Sequence, residues 1–161
     1  MQNISPCLWF DGQAEEAASF YVSVFKNSRI VATTYYQEGL PLPAGTVMTV
    51  LFLLDGQEFV ALNGTPSLLF SPAISFVAHC DDQAEVDALW QKLSKDGVEG
   101  QCGWLTDKYG VSWQVVPRTL LEMFRRGDSE AAQRALKAML GMNKLDLAAL
   151  QRAYDNGENT L

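Results

Sequence analysis

The sequence is poor in the residues that build metal sites and disulfide frameworks. Its 161 residues include one histidine, His79, and three cysteines. The cysteines are odd in number and widely spaced, at Cys7, Cys80 and Cys102, which is neither a disulfide pattern nor a zinc pattern. One histidine also excludes a histidine-rich metal site. Reduced cysteines fit best, so we predict a cytoplasmic protein.

Long apolar runs and basic clusters are also scarce. The longest apolar run, Val50 to Leu54 with its neighbours, has the length of a strand and is too short to span a bilayer. The first residues lack a positively charged segment followed by an apolar stretch, so we expect no signal peptide. The net charge is -7 and the densest basic spot is Arg125-Arg126, so we expect neither nucleic acid nor a membrane surface as a partner.

The first part of the chain repeats itself after 70 positions. Seven residues in an ungapped window of 17 are identical between the two copies, more than low complexity would give. The identical pairs are Ile4/Ile74, Ser5/Ser75, Asp11/Asp81, Gln13/Gln83, Ala14/Ala84, Glu15/Glu85 and Ala18/Ala88. This internal duplication predicts two modules of the same design.

Each copy begins with a short apolar run, then an aspartate that can cap a helix, then a helical apolar stripe. The stripes start at Ala14 and Ala84, and more strand-like segments follow each helix. The predicted strands are Ile4 to Phe10, Ser28 to Tyr36, Val47 to Leu54 and Glu58 to Leu62, then Ile74 to Cys80, Gly100 to Leu105 and Val111 to Val116. Asp55-Gly56 predicts a hairpin turn.

The pattern predicts an α+β fold of two tandem βαβββ modules, whose curved antiparallel sheets enclose a cavity. We place the first module at residues 1–64, the second at 73–118, and a helical extension at 119–161, with Gly64 to Pro72 as linker. One predicted apolar stripe of the extension, which Asp128 should cap, consists of Ala131, Ala132, Leu136, Met139 and Leu140. This stripe should pack against the modules or against another subunit.

The sequence resembles the vicinal oxygen chelate (glyoxalase/bleomycin resistance/dioxygenase) superfamily. The resemblance is carried by "WFDGQAEEAASFYVSVF", "GQEFVALNG", "FSPAISFVAHCDD" and "CGWLTDKYGVSWQVVP", and it covers residues 1 to about 118. More narrowly, the chain is similar to the PhnB-like branch, often labelled demethylubiquinone methyltransferase-like. The resemblance implies the fold more strongly than any one reaction, because this architecture hosts several kinds of enzyme and plain binding proteins.

The resemblance also implies where a metal ion would be held. Metal-dependent members bind a divalent ion through His and Glu side chains on the first and last strands of each module. Carried over, those positions fall on Ser5 or Pro6, near Ala61, on Ser75 and on Gln114. Only Gln114 is a plausible ligand, and one neutral amide cannot hold a metal. We therefore predict no metal and no other cofactor.

Strand alternation places Ser75, Val77 and His79 on the face that lines the cavity in the superfamily. His79, beside Asp81 or Asp82, is a candidate general base or ligand anchor; the alternative is a structural histidine at a strand end.

The duplication sets Ser5, Cys7 and Trp9 on the matching face, where Trp9 is either an aromatic wall or core packing. We interpret Cys7 and Cys80 as buried small hydrophobes and not as nucleophiles. Trp104 and Trp113 are interpreted as core or interface residues. The predicted ligand-binding residues are Ser5, Cys7, Trp9, Ser75, His79 and Gln114.

Three functions remain open. The first is a homodimer that binds a small organic molecule without a metal. The second is an enzyme, a methyltransferase or a lyase/isomerase with His79 as base. The third is a structural or regulatory dimer without a ligand. The scattered glycines include no glycine-rich strand-to-helix turn, which argues against S-adenosylmethionine as a cofactor.

Overall fold

The computed structural model describes residues 3–125 and 129–156. The chain folds as two compact units. The boundary between them falls between Leu69 and Phe70, inside the segment predicted as a linker. Within the described ranges, no helix has both the length and the apolar character needed to cross a membrane.

The first unit contains one sheet and one helix. Its elements are β1 (Cys7–Phe10), α1 (Ala14–Val24), β2 (Arg29–Tyr35), β3 (Val47–Leu54) and β4 (Gln57–Asn63). The strand order is β1-β4-β3-β2. Asp55 and Gly56 join β3 to β4 with φ values of 47° and 80°. Two successive positive φ angles are those of a two-residue type I′ hairpin, so the predicted turn is confirmed.

The second unit repeats this order and then adds helices. Its first elements along the chain are β5 (Phe76–Cys80), α2 (Gln83–Ser94), β6 (Val98–Glu99), β7 (Trp104–Thr106) and β8 (Ser112–Pro117). The strand order in its sheet is β5-β8-β7-β6. The strand predicted at Gly100 to Leu105 is therefore wrong over its first four residues, because β7 begins at Trp104. Cys102 and Gly103 have φ values of 59° and 82°, which belong to a turn and not to a strand.

The α+β class and the duplicated βαβββ order are confirmed, but the sheets are mixed and not wholly antiparallel. β1 runs parallel to β4, and β5 runs parallel to β8. The reason is the helix between the first two strands of each module, which returns the chain to start the second strand in the same direction as the first. Two antiparallel steps then leave the fourth strand parallel to the first.

Each helix covers one face of its own sheet. In α1 the buried side chains are mostly small, with Ala14, Ala17 and Ala18 fully buried beside Tyr21. The Tyr21 ring stacks on Phe52 with 6.4 Å between ring centroids, and Phe52 stacks on Phe59 at 5.5 Å. In α2 the buried residues are Val86, Trp90 and Leu93. These faces form the apolar core of each module.

The two helices are capped in different ways, although their sequences are related. In α2, Asp82 accepts a hydrogen bond from the Glu85 N–H at 2.9 Å, as an aspartate cap predicts. In α1 the N-cap residue is Gln13, and its side chain makes no capping bond. The Ala14 N–H donates instead to Asn63 Oδ1 at 2.9 Å, so the cap of α1 comes from β4.

Three helices complete the second unit: α3 (Arg118–Arg125), α4 (Glu130–Met139) and α5 (Leu147–Asp155). They close over a buried apolar cluster that extends from the end of β8; its members are Val116, Leu120, Met123, Ala135, Leu145 and Leu150. The tail thus packs against its own module. Ser129 caps α4 by accepting from the Ala132 N–H at 3.2 Å, while Asp128 lies outside the described residues.

The predicted stripe on α4 is buried only in part. Ala132 is buried and Met139 packs against the cluster, as does the fully buried Ala135, but Leu136 and Leu140 are 43% and 59% exposed. Side chains of the neighbouring helices fill the cluster beside α4. The small alanines therefore fit where α4 contacts the cluster, and the larger leucines lie outside it.

Candidate functional site

The face of the second sheet that α2 leaves uncovered carries most of the predicted polar residues. We call it the second face and define it by Ser75, Val77, His79, Trp104 and Gln114. Gln114 on β8 is the register partner of Val77 on β5 and of Trp104 on β7, so these side chains lie in one row. Val77 and His79 are exposed, while Ala78 and Cys80, which alternate with them, are buried.

A hydrogen bond joins two of the predicted ligand-binding residues. Gln114 Nε2 donates to Ser75 Oγ at 2.9 Å, and both residues are partly buried. The bond spans the parallel pair β5/β8 at the start of β5. It fixes both side chains on the second face, where the amide oxygen and the hydroxyl hydrogen are left for other partners.

His79 lies near the other end of the same strand. The two carboxylates proposed as its partners are engaged elsewhere: Asp81 Oδ1 accepts from Arg118 Nε at 2.8 Å, and Asp82 caps α2. Among the residues the structure describes, no side chain forms a hydrogen bond with His79. The histidine is therefore accessible, but no carboxylate orients it, and its role as a base stays a prediction.

The corresponding face of the first sheet is less polar. We call it the first face and define it by Cys7, Trp9, Glu58, Val60 and Leu62. Cys7 pairs with Val60 and Trp9 with Leu62 in the parallel register of β1 and β4, and Glu58 alternates with Val60 on the same side. Ser5 lies at the edge of this face, where its hydroxyl donates to Glu58 Oε1 at 2.8 Å.

The parallel registers decide which residue takes the fourth metal position. Cys7 pairs with Val60 as Val77 pairs with Gln114, so Val60 is the counterpart of Gln114. Ala61 is fully buried on the opposite side, beside Leu8, so the position predicted near Ala61 is that of Val60, one residue earlier. A one-residue shift turns a strand side chain to the other face.

The donor set fits a divalent metal poorly. Val60 has no ligand atom, and the Ser5 and Ser75 hydroxyls are neutral and already hydrogen-bonded. Glu58 is a carboxylate on the first face, but within residues 3–125 and 129–156 no three His, Cys, Asp or Glu side chains come together as a metal site. Several charged or imidazole ligands are normally required to hold such an ion.

Trp9 carries an unpaired donor. Its indole nitrogen is buried, and none of the residues in the described ranges accepts its N–H. The ring lies against Gly64, where an added Cβ would be 2.5 Å from Trp9 Cζ2, so a glycine is needed there. An unsatisfied buried donor costs about 1–3 kcal/mol, which sets Trp9 apart from an ordinary core tryptophan.

The cysteines differ in accessibility. Cys80 is buried as predicted, and burial together with the charges of Glu85 and Asp81 raises the pKa of its thiol to about 11. Cys7 is exposed, so its predicted burial is wrong: it lies on the first face and not on the α1 side. Partial desolvation still raises the pKa of the Cys7 thiol, which disfavours the nucleophilic thiolate.

Two residues of these faces were missed by sequence reasoning. Glu58 follows from the alternation of β4, once Val60 is known to lie on the first face. Trp104 was interpreted as core or interface, but the β7/β8 register places it beside Gln114. Trp113, by contrast, is buried, and its indole donates to Asp107 Oδ2 at 2.8 Å.

Comparison with known proteins identifies the family. The family model described as 3-demethylubiquinone-9 3-methyltransferase matches residues 2–116. A solved PhnB protein from Bacillus cereus is 38% identical, with a TM-score of 0.64, over 72% of this chain and 99% of its own. No curated protein matches the chain.

Two more distant structures share the fold alone. Protein PA1353 from Pseudomonas aeruginosa is 22% identical with a TM-score of 0.61, over 73% of this chain and 98% of its own. The fosfomycin resistance protein FosX from Listeria monocytogenes is 14% identical with a TM-score of 0.57, over 76% of this chain and 96% of its own. With the family model and the Bacillus cereus structure in agreement, the chain belongs to the 3-demethylubiquinone-9 3-methyltransferase (PhnB-like) family, within the vicinal oxygen chelate fold.

Proposed function

We propose that this PhnB-like protein binds a small organic molecule on the second face, without the divalent metal of metal-dependent relatives. The observation that carries the proposal is the Gln114–Ser75 hydrogen bond, 2.9 Å long, at two of the positions where a metal would need ligands. A neutral amide and hydroxyl suit hydrogen bonding to an organic ligand, and the exposed Val77 beside them supplies apolar contact.

The first face supports the same kind of ligand. It offers apolar contact through Val60 and Leu62, together with the indole of Trp9, whose N–H has no acceptor within residues 3–125 and 129–156.

The test combines metal analysis with ligand screening. Purified protein is analysed for bound metal by mass spectrometry, and its melting temperature is measured with a library of small organic compounds in the presence of EDTA. We expect compounds that raise the melting temperature despite EDTA. Gln114→Leu should abolish the shift, because it removes the amide but keeps the bulk. Gln91→Leu, a matched change at an exposed position of α2, should retain it.

Two results would overturn the proposal. One is tight stoichiometric binding of a divalent ion that is lost in Gln114→Ala. The other is that compounds of the library raise the melting temperature only when EDTA is omitted.

The family's name points to methyl transfer, a second function that the geometry does not favour. A helix start whose N–H groups are free could help to bind S-adenosylmethionine. Here the Ala14 N–H at the start of α1 donates to Asn63, and the Glu85 N–H at the start of α2 donates to Asp82. S-adenosylhomocysteine should therefore leave the melting temperature unchanged. A stabilisation by this compound, together with activity lost in His79→Ala, would favour the enzyme over the binding protein.

A further inference from the structure

The second face has an aromatic platform beside its hydrogen-bonding pair. Trp104 is the register partner of Gln114, so its ring lies on the same side of the sheet and next to the amide. Gly100 borders this tryptophan: an added Cβ would be 3.5 Å from Trp104 Cβ and 2.9 Å from its carbonyl oxygen. A side chain at position 100 would therefore collide with the Trp104 backbone, which a glycine avoids.

The Gln114 amide and the Ser75 hydroxyl together offer a ligand one hydrogen-bond donor and one acceptor. Because Gln114 Nε2 already donates to Ser75 Oγ, the Ser75 hydroxyl keeps its own hydrogen to donate. Gln114 Oε1 has no hydrogen-bond donor among the residues that the structure describes, so it is available as an acceptor. The two groups are held together by their mutual bond and present one donor and one acceptor side by side.

The second face is also nearly free of charge. The side chains of β5 to β8 that point to this side are Val77, His79, Val98, Trp104, Thr106, Ser112 and Gln114. Val116 points to the same side but is buried in the apolar cluster of α3, α4 and α5. These side chains include no aspartate, glutamate, lysine or arginine. A charged ligand would therefore find none of these four side chains to pair with on this side of the strands. The chemistry of this face therefore favours a neutral ligand.

We propose that the ligand is a neutral, planar heteroaromatic molecule with an adjacent N–H and C=O on one edge, as in a cyclic amide. Its ring stacks on Trp104, its N–H donates to Gln114 Oε1, and its carbonyl accepts from the Ser75 hydroxyl. This inference rests on the proposed function and adds the class of molecule and a specificity-determining residue, Trp104.

The experiment uses two probes that differ in one donor. Quinolin-2(1H)-one has the ring, the N–H and the carbonyl, and its N-methyl derivative lacks the N–H. Binding of each is measured by NMR titration of the full-length ¹⁵N-labelled protein. We expect the N-methyl compound to bind about tenfold more weakly, the effect of one hydrogen bond that leaves an acceptor unpaired.

The variants separate the contribution of the Trp104 ring to binding from that of the Gln114–Ser75 pair. Trp104→Leu should weaken both probes by about three- to tenfold, as expected for a lost aromatic contact. Gln114→Leu should weaken only quinolin-2(1H)-one, so that the difference between the two probes disappears. Gln91→Leu should bind both probes like the unchanged protein. Chemical shifts of the buried core confirm that each variant is folded.

Failure of this inference differs from failure of the proposed function. Equal affinity for the two probes, unchanged binding in Trp104→Leu, or no binding of either probe would overturn it. If library compounds of another class then stabilise the protein in EDTA and depend on Gln114, the proposed function stands and only the class of ligand is wrong. If no compound stabilises the protein, both proposals fail.

Discussion

Replacement of the buried Asn63 by alanine should strongly destabilise the first unit. Asn63 is 2% exposed, and its side chain joins two elements: Oδ1 accepts from the Ala14 N–H at 2.9 Å, and Nδ2 donates to the Val47 carbonyl at 3.1 Å. Ala14 is fully buried, so water cannot replace the lost acceptor at the start of α1. This residue is both a helix cap and a link within the sheet.

The magnitude follows from these two bonds. An unsatisfied buried N–H costs about 1–3 kcal/mol, and the bond to the partly buried Val47 carbonyl adds about 1 kcal/mol. We therefore expect Asn63→Ala to lower the free energy of unfolding by about 2–4 kcal/mol. The matched control is Asp82→Ala, which removes the cap of α2 at an exposed position and should cost about 1 kcal/mol.

The assay is urea unfolding followed by circular dichroism, combined with hydrogen exchange to resolve the two units. Asn63→Ala should lower the protection of α1 peptides and leave those of α2 protected, and Asp82→Ala should do the reverse to a smaller extent. If Asn63→Ala costs no more than Asp82→Ala, or if α1 keeps its protection, the cap from β4 does not stabilise the helix as argued.

Two further predictions test the cysteines and a close backbone contact. In native protein, iodoacetamide should label exposed Cys7 before buried Cys80, and the Cys7 rate should keep rising above pH 9, because the raised pKa keeps the thiol protonated. Peptide mass spectrometry gives both rates, and equal rates would contradict the burial of Cys80. Gly97→Ala should cost about 1–3 kcal/mol in urea unfolding, since its Cβ would lie 2.2 Å from the Thr106 carbonyl oxygen. Gly141→Ala, whose nearest contact is at 3.6 Å, is the control and should be nearly neutral; equal losses would contradict the crowding at Gly97.

Local patterns predicted most of the strands and helices. Val47 to Leu54 is a strand with the predicted bounds, and Asp55-Gly56 is the predicted hairpin. These segments are determined by alternation and by turn residues, which act over a few positions. The strand predicted from Gly100 failed because the turn at Cys102 depends on contacts far along the chain: the Cys102 N–H donates to the Met142 carbonyl at 2.7 Å.

Which strand face the candidate residues share could be predicted, but their partners across the sheet could not. Alternation placed Ser75, Val77 and His79 on one face; in the structure Val77 and His79 are exposed and Ser75 is partly buried. The partner of Val77 on the neighbouring strand is set by pairing across the sheet, and local sequence carries no record of that register. For this reason Trp104 was not connected with Gln114, and the fourth metal position could be placed only near Ala61, one residue from Val60.

The sequence by itself determined the duplication, the α+β class and the family, because repeated residues and hydrophobic periodicity are local and survive divergence. Only the tertiary structure decided how the two copies differ. Asn63 caps α1 from β4, whereas the register partner of Cys80 in the second copy, the counterpart of Asn63, is Pro117, and α2 relies on Asp82 in its own loop. A cap whose acceptor lies 49 positions along the chain cannot be predicted from local sequence, because strand pairing brings the two residues together. The same pairing brings Gln114 to Ser75 and builds the face on which we expect the ligand to bind.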